Sequence, residues 1–222
     1  KNLKVTSIES ERFLHDGGWD ASKRYFLVAA NMRDKMVVVD TKTKKLAAIV
    51  ETGVKPHPGR GANFVDPKYG PVYATPHIGE AAVALIGTDP EGKYKEYAWK
   101  VVRKLKVAGD GGLFIKTHPN SKNLWVDHTL SNDINAARSV TVYDKTNLDA
   151  PPKTINLADR GRIVHFEYNK AGDEVWIALW DRDGEIIIFD DKTLKEKTRI
   201  KDPRLVTPTG KFNVYNTQYD IY

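Results

Sequence analysis

Six histidines and no cysteine bound the chemistry this chain can perform. Without cysteine there are no disulfides, no thiolate metal sites and no covalently attached c-type haem, which requires Cys-x-x-Cys-His. Imidazole remains, at His15, His57, His77, His118, His128 and His165. An unperturbed imidazole titrates near pH ~6.5, so it can hold a small anion and pass it a proton at neutral pH. His57 lies in the proline- and glycine-rich loop "PHPGRG", where a turn role is the plainer reading, and Arg60 of that loop reads equally well as a surface turn arginine. Other motifs fall away. "GDGG" at 109–112 lacks the strand–helix context of a phosphate loop, and "DRDGE" at 181–185 is better explained as a hairpin turn than as a calcium loop. Neither H-E-x-x-H nor G-x-S-x-G occurs.

The elements that must position these side chains are strands. "RYFLVAA", "KMVVVD", "AVALIGT", "SVTVYD", "EVWIALW" and "EIIIFD" are short, rich in Val, Ile, Tyr and Trp, and bounded by Gly, Asp, Asn and Pro. Only "KYKEYAWKVVRKL" reads as a helix, and it reads as well as a strand with a long approach. A turn, a strand, a gap, a second strand ending in Asp and a lysine-rich turn recur from Asp20, Asp66, His118 and Asn169, at spacings of 46, 52 and 51 residues. That period predicts an all-β chain of stacked β-propeller blades. Aligned repeats place Asn31, His77, His128 and Trp180 at equivalent positions after the second strand's apolar core, hence in a partial ring at one radius and depth. The plainer account is polar groups satisfied at strand ends. "RLVTPTGKFNVYNTQYDIY", 204–222, begins a fifth copy, with the residues after Val206 expected to form an inner strand of a further blade. Either "LKVTSIE" closes a small five-bladed ring with it, or the blades form an arc of a larger ring.

With 222 residues and 41% hydrophobic content the chain can bury a sizeable core. No run of 18 apolar residues exists, so no transmembrane helix is expected, and "KNLKVTSIES" lacks the apolar region of a signal peptide. The net charge of +6 is spread through turns such as "DTKTKK" with no basic stripe, which argues against nucleic acid.

The stretches "PHPGRGANFVDPKYGPVYATPHIG", "GGLFIKTHPNSKNLWVD", "EYNKAGDEVWIALW" and "DDKTLKEKTRIKDPRLVTPTGKFNVYNTQYDIY" resemble the haem d1 domain of the cytochrome cd1 nitrite reductase family, from about Glu11 to Tyr222. The resemblance implies a β-propeller of the eight-bladed haem d1 type, with four to five blades in residues 1–222. The c-type haem domain and first blades are then absent, and the proximal iron ligand lies outside this chain.

His77 and His118 match the family's distal-pocket histidines and are expected to be catalytic. Each would bring a proton to nitrite, and the two imidazoles would lie within a substrate's width at one rim of the ring. Trp180 and Gly210 match positions that contact the macrocycle; Arg60 is a candidate for its acidic side groups, and Phe212 and Tyr168 are further cofactor-binding candidates. His128 and His165 depart from the family; His128 either modifies the pocket or fills the ring, and His165 receives no role. The resemblance implies haem d1, nitrite, an electron from a c-type haem domain or cytochrome, a chain supplying the remaining blades, a homodimeric intact enzyme and a periplasmic location. A related dihydro-haem d1 dehydrogenase of cofactor assembly, and a non-enzymatic haem d1-binding scaffold, are the alternatives.

Overall fold

The computed structural model describes residues 2–206 together with Gly210, Phe212, Val214, Ile221 and Tyr222. Among the described residues, sixteen strands form four four-stranded sheets. The first sheet holds β1 (Leu14–Trp19), β2 (Tyr25–Ala30), β3 (Lys35–Asp40) and β4 (Lys45–Glu51). The second holds β5 (Ala62–Asp66), β6 (Gly70–Pro76), β7 (Ala82–Gly87) and β8 (Val101–Lys106). In the third are β9 (Ile115–Lys116), β10 (Asn123–Asp127), β11 (Ser139–Asp144) and β12 (Lys153–Asn156); β13 (Arg162–Tyr168), β14 (Glu174–Trp180), β15 (Glu185–Asp190) and β16 (Lys195–Lys201) make the fourth. Each strand pairs antiparallel with the next in sequence, so every sheet is a meander and the all-β expectation holds.

Burial across each sheet gives its orientation. β7 is buried along its whole length, whereas the last strands β4, β12 and β16 are largely exposed, β8 is mostly half-buried, and all four carry lysine. Charged outer strands discourage edge-to-edge pairing with other chains. The Asp that ends many strands accepts hydrogen bonds from the backbone N–H groups of the following turn. Asp40 does so from Lys42 and Thr43, Asp66 from Lys68 and Tyr69, and Asp190 from Thr193. These Asx turns are the physical content of the Asp–Lys punctuation in the repeat.

Three apolar clusters lie between consecutive sheets. Leu27, Met36 and Val38 pack with Tyr73 and Ile86 between the first two. Val83, Leu85 and Leu105 meet Leu124, Val126 and Tyr143 between the second and third. Trp125, Val140 and Val142 meet Ile163, Phe166 and Ile177 between the third and fourth. Among the described residues no such cluster joins the fourth sheet to the first. The arrangement is an arc of stacked blades.

Two alternatives that the sequence leaves open are decided here. Residues 3–9, "LKVTSIE", are in no strand. "KYKEYAWKVVRKL" forms a short 3₁₀ turn at Lys95–Tyr97 and then β8, so the strand alternative is correct. The expected inner strand after Val206 falls mostly outside the described residues, and a 3₁₀ turn at Pro203–Leu205 precedes that stretch.

Candidate functional site

The first strand of each sheet begins at the same rim. Leu14 of β1 pairs with Ala30 at the end of β2, Ala62 of β5 with Ala74 near the end of β6, and Arg162 of β13 with Trp180 at the end of β14. Contacts between sheets keep that rim in common. Gly112 N–H donates to the His77 carbonyl at 3.0 Å, and Thr129 Oγ1 donates to the Ile163 carbonyl at 2.8 Å.

At this rim the first strands and their lead-ins present a row of rings. His15 and His57 have centroids 5.1 Å apart, His57 and Phe114 6.4 Å, Phe114 and His165 4.9 Å, and His165 and Phe212 5.4 Å. Backbone irregularity aims two of them. β1 is bulged between His15 and Gly17, with Asp16 at φ 57°, and β13 is bulged between Val164 and Phe166, with His165 at φ 62°. A bulge breaks strand alternation and redirects side chains, and left-handed backbone at non-glycine residues often marks a function.

His15, Asp16 and His57 form one constellation. Asp16 Oδ2 lies 3.1 Å from His57 Nε2 and 3.7 Å from His15 Nε2. His57 Nδ1 is 3.0 Å from the Leu113 carbonyl, which can only accept, so this nitrogen carries the hydrogen. Burial pushes the His57 pKa down, against the Leu113 carbonyl and the Asp16 carboxylate, which both favour the protonated ring. The His15 side chain is 58% exposed and opens the group to solvent.

A second network crosses the third sheet. Arg60 Nη2 donates to Glu167 Oε1 at 2.6 Å, and His165 Nε2 lies 3.2 Å from the same oxygen and 3.0 Å from the Phe212 carbonyl. Burial alone would raise the Glu167 pKa, but His165, Lys116 and Arg60 hold it below the usual carboxylate value. Buried Asp127 accepts from the N–H groups of Leu113 (2.7 Å), Phe114 (3.0 Å) and His165 (3.1 Å). Burial raises its pKa to about 6 despite these bonds. Asp127 thus fixes both the carbonyl that orients His57 and the bulge that carries His165.

The expected pair, His77 and His118, is not brought together. His77 follows a second strand and His118 a first strand, and adjacent strands run antiparallel, so the two lie at opposite rims. Gly112 touches His77, and the chain then runs through β9 to His118, roughly 20 Å at ~3.3 Å per residue. His77 is buried with Nδ1 3.1 Å from the Ala82 carbonyl. At the far rim, His118 Nδ1 accepts from Asn120 N–H at 3.1 Å, and its ring packs 5.4 Å from Tyr168. Tyr168 itself donates to Asp191 Oδ1 at 2.7 Å, alongside Ser121 Oγ at 2.6 Å on Oδ2 and Trp125 Nε1 at 3.0 Å on Oδ1. Tyr168 and His118 are therefore parts of an inter-blade tie at the rim opposite the row of rings.

Asn31, His77, His128 and Trp180 do share a rim, each following or ending a second strand. His128 bonds the Ala136 carbonyl (3.3 Å) and Thr141 Oγ1 (2.9 Å), a satisfied strand end. Trp180 is half-buried and adjoins Gly210, where an added Cβ would lie 3.6 Å from the Trp180 Cβ and 2.5 Å from Val164 Cγ1. Trp180, Gly210 and Phe212 all lie at the rim of the ring row. The sequence carried one overlooked sign of the His15–His57 pair. Each histidine is followed within three residues by glycine, and a Cβ on Gly18 would sit 1.9 Å from the Arg60 carbonyl oxygen. The two segments touch there because no side chain intervenes.

Residues 1–217 match the family described as Cytochrome D1 heme domain. Across its whole length the chain is 55% identical to a nitrite reductase of Stutzerimonas stutzeri, of which it covers 42%. It is 25% identical, over 92% of its length, to 38% of a dihydro-heme d1 dehydrogenase of Pseudomonas aeruginosa. The solved structure of the dihydro-heme d1 dehydrogenase NirN in complex with DHE superposes with a TM-score of 0.71, at 22% identity, over 85% of this chain and 38% of that one. The chain thus spans about two fifths of the length of the curated relatives it matches.

Proposed function

Given that the chain belongs to the cytochrome D1 heme domain family, we propose that it is part of a haem d1-dependent nitrite reductase in which His15 and His57, rather than His77 and His118, protonate the substrate. The observation that carries this is the 5.1 Å separation of the two imidazoles at the rim where Trp180, Gly210 and Phe212 also lie. The higher identity to a nitrite reductase than to a dihydro-heme d1 dehydrogenase favours the reductase over the assembly alternative.

The residues present fit haem d1. A row of rings lines the rim, glycine at 210 lets the backbone lie close against Val164 and Trp180, and the Arg60 side chain, ion-paired with Glu167, stays 42% exposed toward an acidic side group. Trp180, Gly210, Phe212 and Arg60 would hold the macrocycle. Haem d1, when bound, supplies the iron that takes up nitrite and the electron that reduces it.

The chain's own residues supply the protons. Nitrite, two protons and one electron give nitric oxide and water, so one N–O bond breaks and its oxygen leaves doubly protonated. His57 Nε2 points to the shared space because Nδ1 is held on the Leu113 carbonyl. Exposed His15 recharges from solvent, and Asp16, within 3.7 Å of both rings, passes a proton to buried His57. The electron donor, a c-type haem domain or cytochrome, together with the remaining blades, the homodimer and the periplasmic location, belongs to the intact protein of this proposal.

In haem-loaded intact protein, His15→Ala and His57→Ala should each lower nitric oxide formation on the order of 10²–10⁴-fold with the haem d1 spectrum retained. His118→Ala should leave turnover per bound haem within a few-fold. Unchanged turnover in both rim variants would overturn the assignment.

A further inference from the structure

We propose that His15, Asp16 and His57 form a zinc-type divalent cation site in the haem-free chain. The donor set is two imidazole nitrogens and one carboxylate oxygen, with a fourth position open to water, as in three-ligand zinc centres. Bonds of ~2.0–2.1 Å arranged tetrahedrally put neighbouring donors about 3.3 Å apart. Here Asp16 Oδ2 is 3.1 Å from one nitrogen and 3.7 Å from the other, and all three donor atoms lie within 4.8 Å of one another. Little movement is needed to close them on an ion.

Two further features point to a cation. With its hydrogen on Nδ1, bonded to the Leu113 carbonyl, His57 offers the Nε2 lone pair to a carboxylate oxygen 3.1 Å away. Two acceptors that close are stable only with a cation between them, a proton or a metal. The Nδ1–H to carbonyl bond is also the outer-shell contact that orients metal-ligating imidazoles and makes them more basic. The second feature is the bulge. Consecutive residues of a regular strand point to opposite faces, yet His15 and Asp16 converge because Asp16 adopts φ 57°. Exposed His15 leaves an entry path. Imidazole selects zinc or copper over magnesium or calcium.

This site uses the proton-donating atoms of the proposed reductase but does not rest on nitrite being the substrate, and its test needs no turnover. Titrating the haem-free chain with zinc chloride by calorimetry at pH 7.5 should show one strong equivalent, with no uptake of magnesium. Asp16→Asn, which suits left-handed backbone, and His15→Ala, at an exposed side chain, should each weaken binding at least about 10-fold while circular dichroism is unchanged. Zinc should raise the melting temperature of the parent chain and not of the variants. No strong equivalent in the parent, or equal affinity in both variants, would overturn the proposal.

Discussion

A histidine reaches an anion only when its second nitrogen is left available by the fold. His128 has both nitrogens bonded to the protein. His118 is packed against Tyr168 and Gly172, where an added Cβ would come within 2.0 Å of Nδ1. Its replacement by alanine should therefore act on folding, lowering unfolding free energy by about 2–3 kcal/mol in urea titrations. Asp127 has a different signature. Its pKa of about 6 in the folded chain exceeds the ordinary 3.8, so the native state binds the extra proton and stability from this group falls as pH rises from about 4 to 6. The unfolding free energy of the parent minus that of Asp127→Asn should be larger at pH 4.5 than at pH 7, by about 2 kcal/mol. A pH-independent difference in urea melts would contradict this.

The elements were unequally legible in the sequence. Second and third strands such as β2, β3, β14 and β15 announced themselves, because burial at the middle of a sheet demands a dense apolar run and Asp-initiated turns close their hairpins. First strands did not. β9 is two residues long, and β1 is "LHDGGW", with a bulge that breaks alternation. The candidate site is built on those first strands, so the His15–His57 pair carried little signal in the sequence. Family resemblance selected histidines by local motif, but antiparallel pairing decided which rim each would reach. Gly18→Ala tests the closeness that the first strand of sheet one depends on. A Cβ 1.9 Å from the Arg60 carbonyl must displace the "PHPGRG" loop, and a shift of about 1 Å costs turnover on the order of 10²-fold in the haem-loaded protein. At the opposite rim, Asp191→Ala would strand the Ser121, Trp125 and Tyr168 donors and should cost ~3 kcal/mol or more by denaturant unfolding.

At the scale of the molecule, the arc leaves apolar side chains on the first sheet in contact with water. Phe13, Leu14, Met32 and Ile49 are 54%, 47%, 59% and 43% exposed. The 222-residue chain by itself should self-associate as its concentration rises, read by analytical ultracentrifugation; a monomer throughout the micromolar range would contradict the open arc. Curvature is the last consequence. The Arg60–Glu167 ion pair reaches from the lead-in of the second sheet to the fourth, passing over the third. A strut between alternate wedges of a wheel sets the angle taken up by two steps, and that angle decides how many wedges complete the circle. One guanidinium, on a loop that reads as an ordinary turn, thus acts as a gauge of circumference, holding these four wedges to the radius on which any others must be laid.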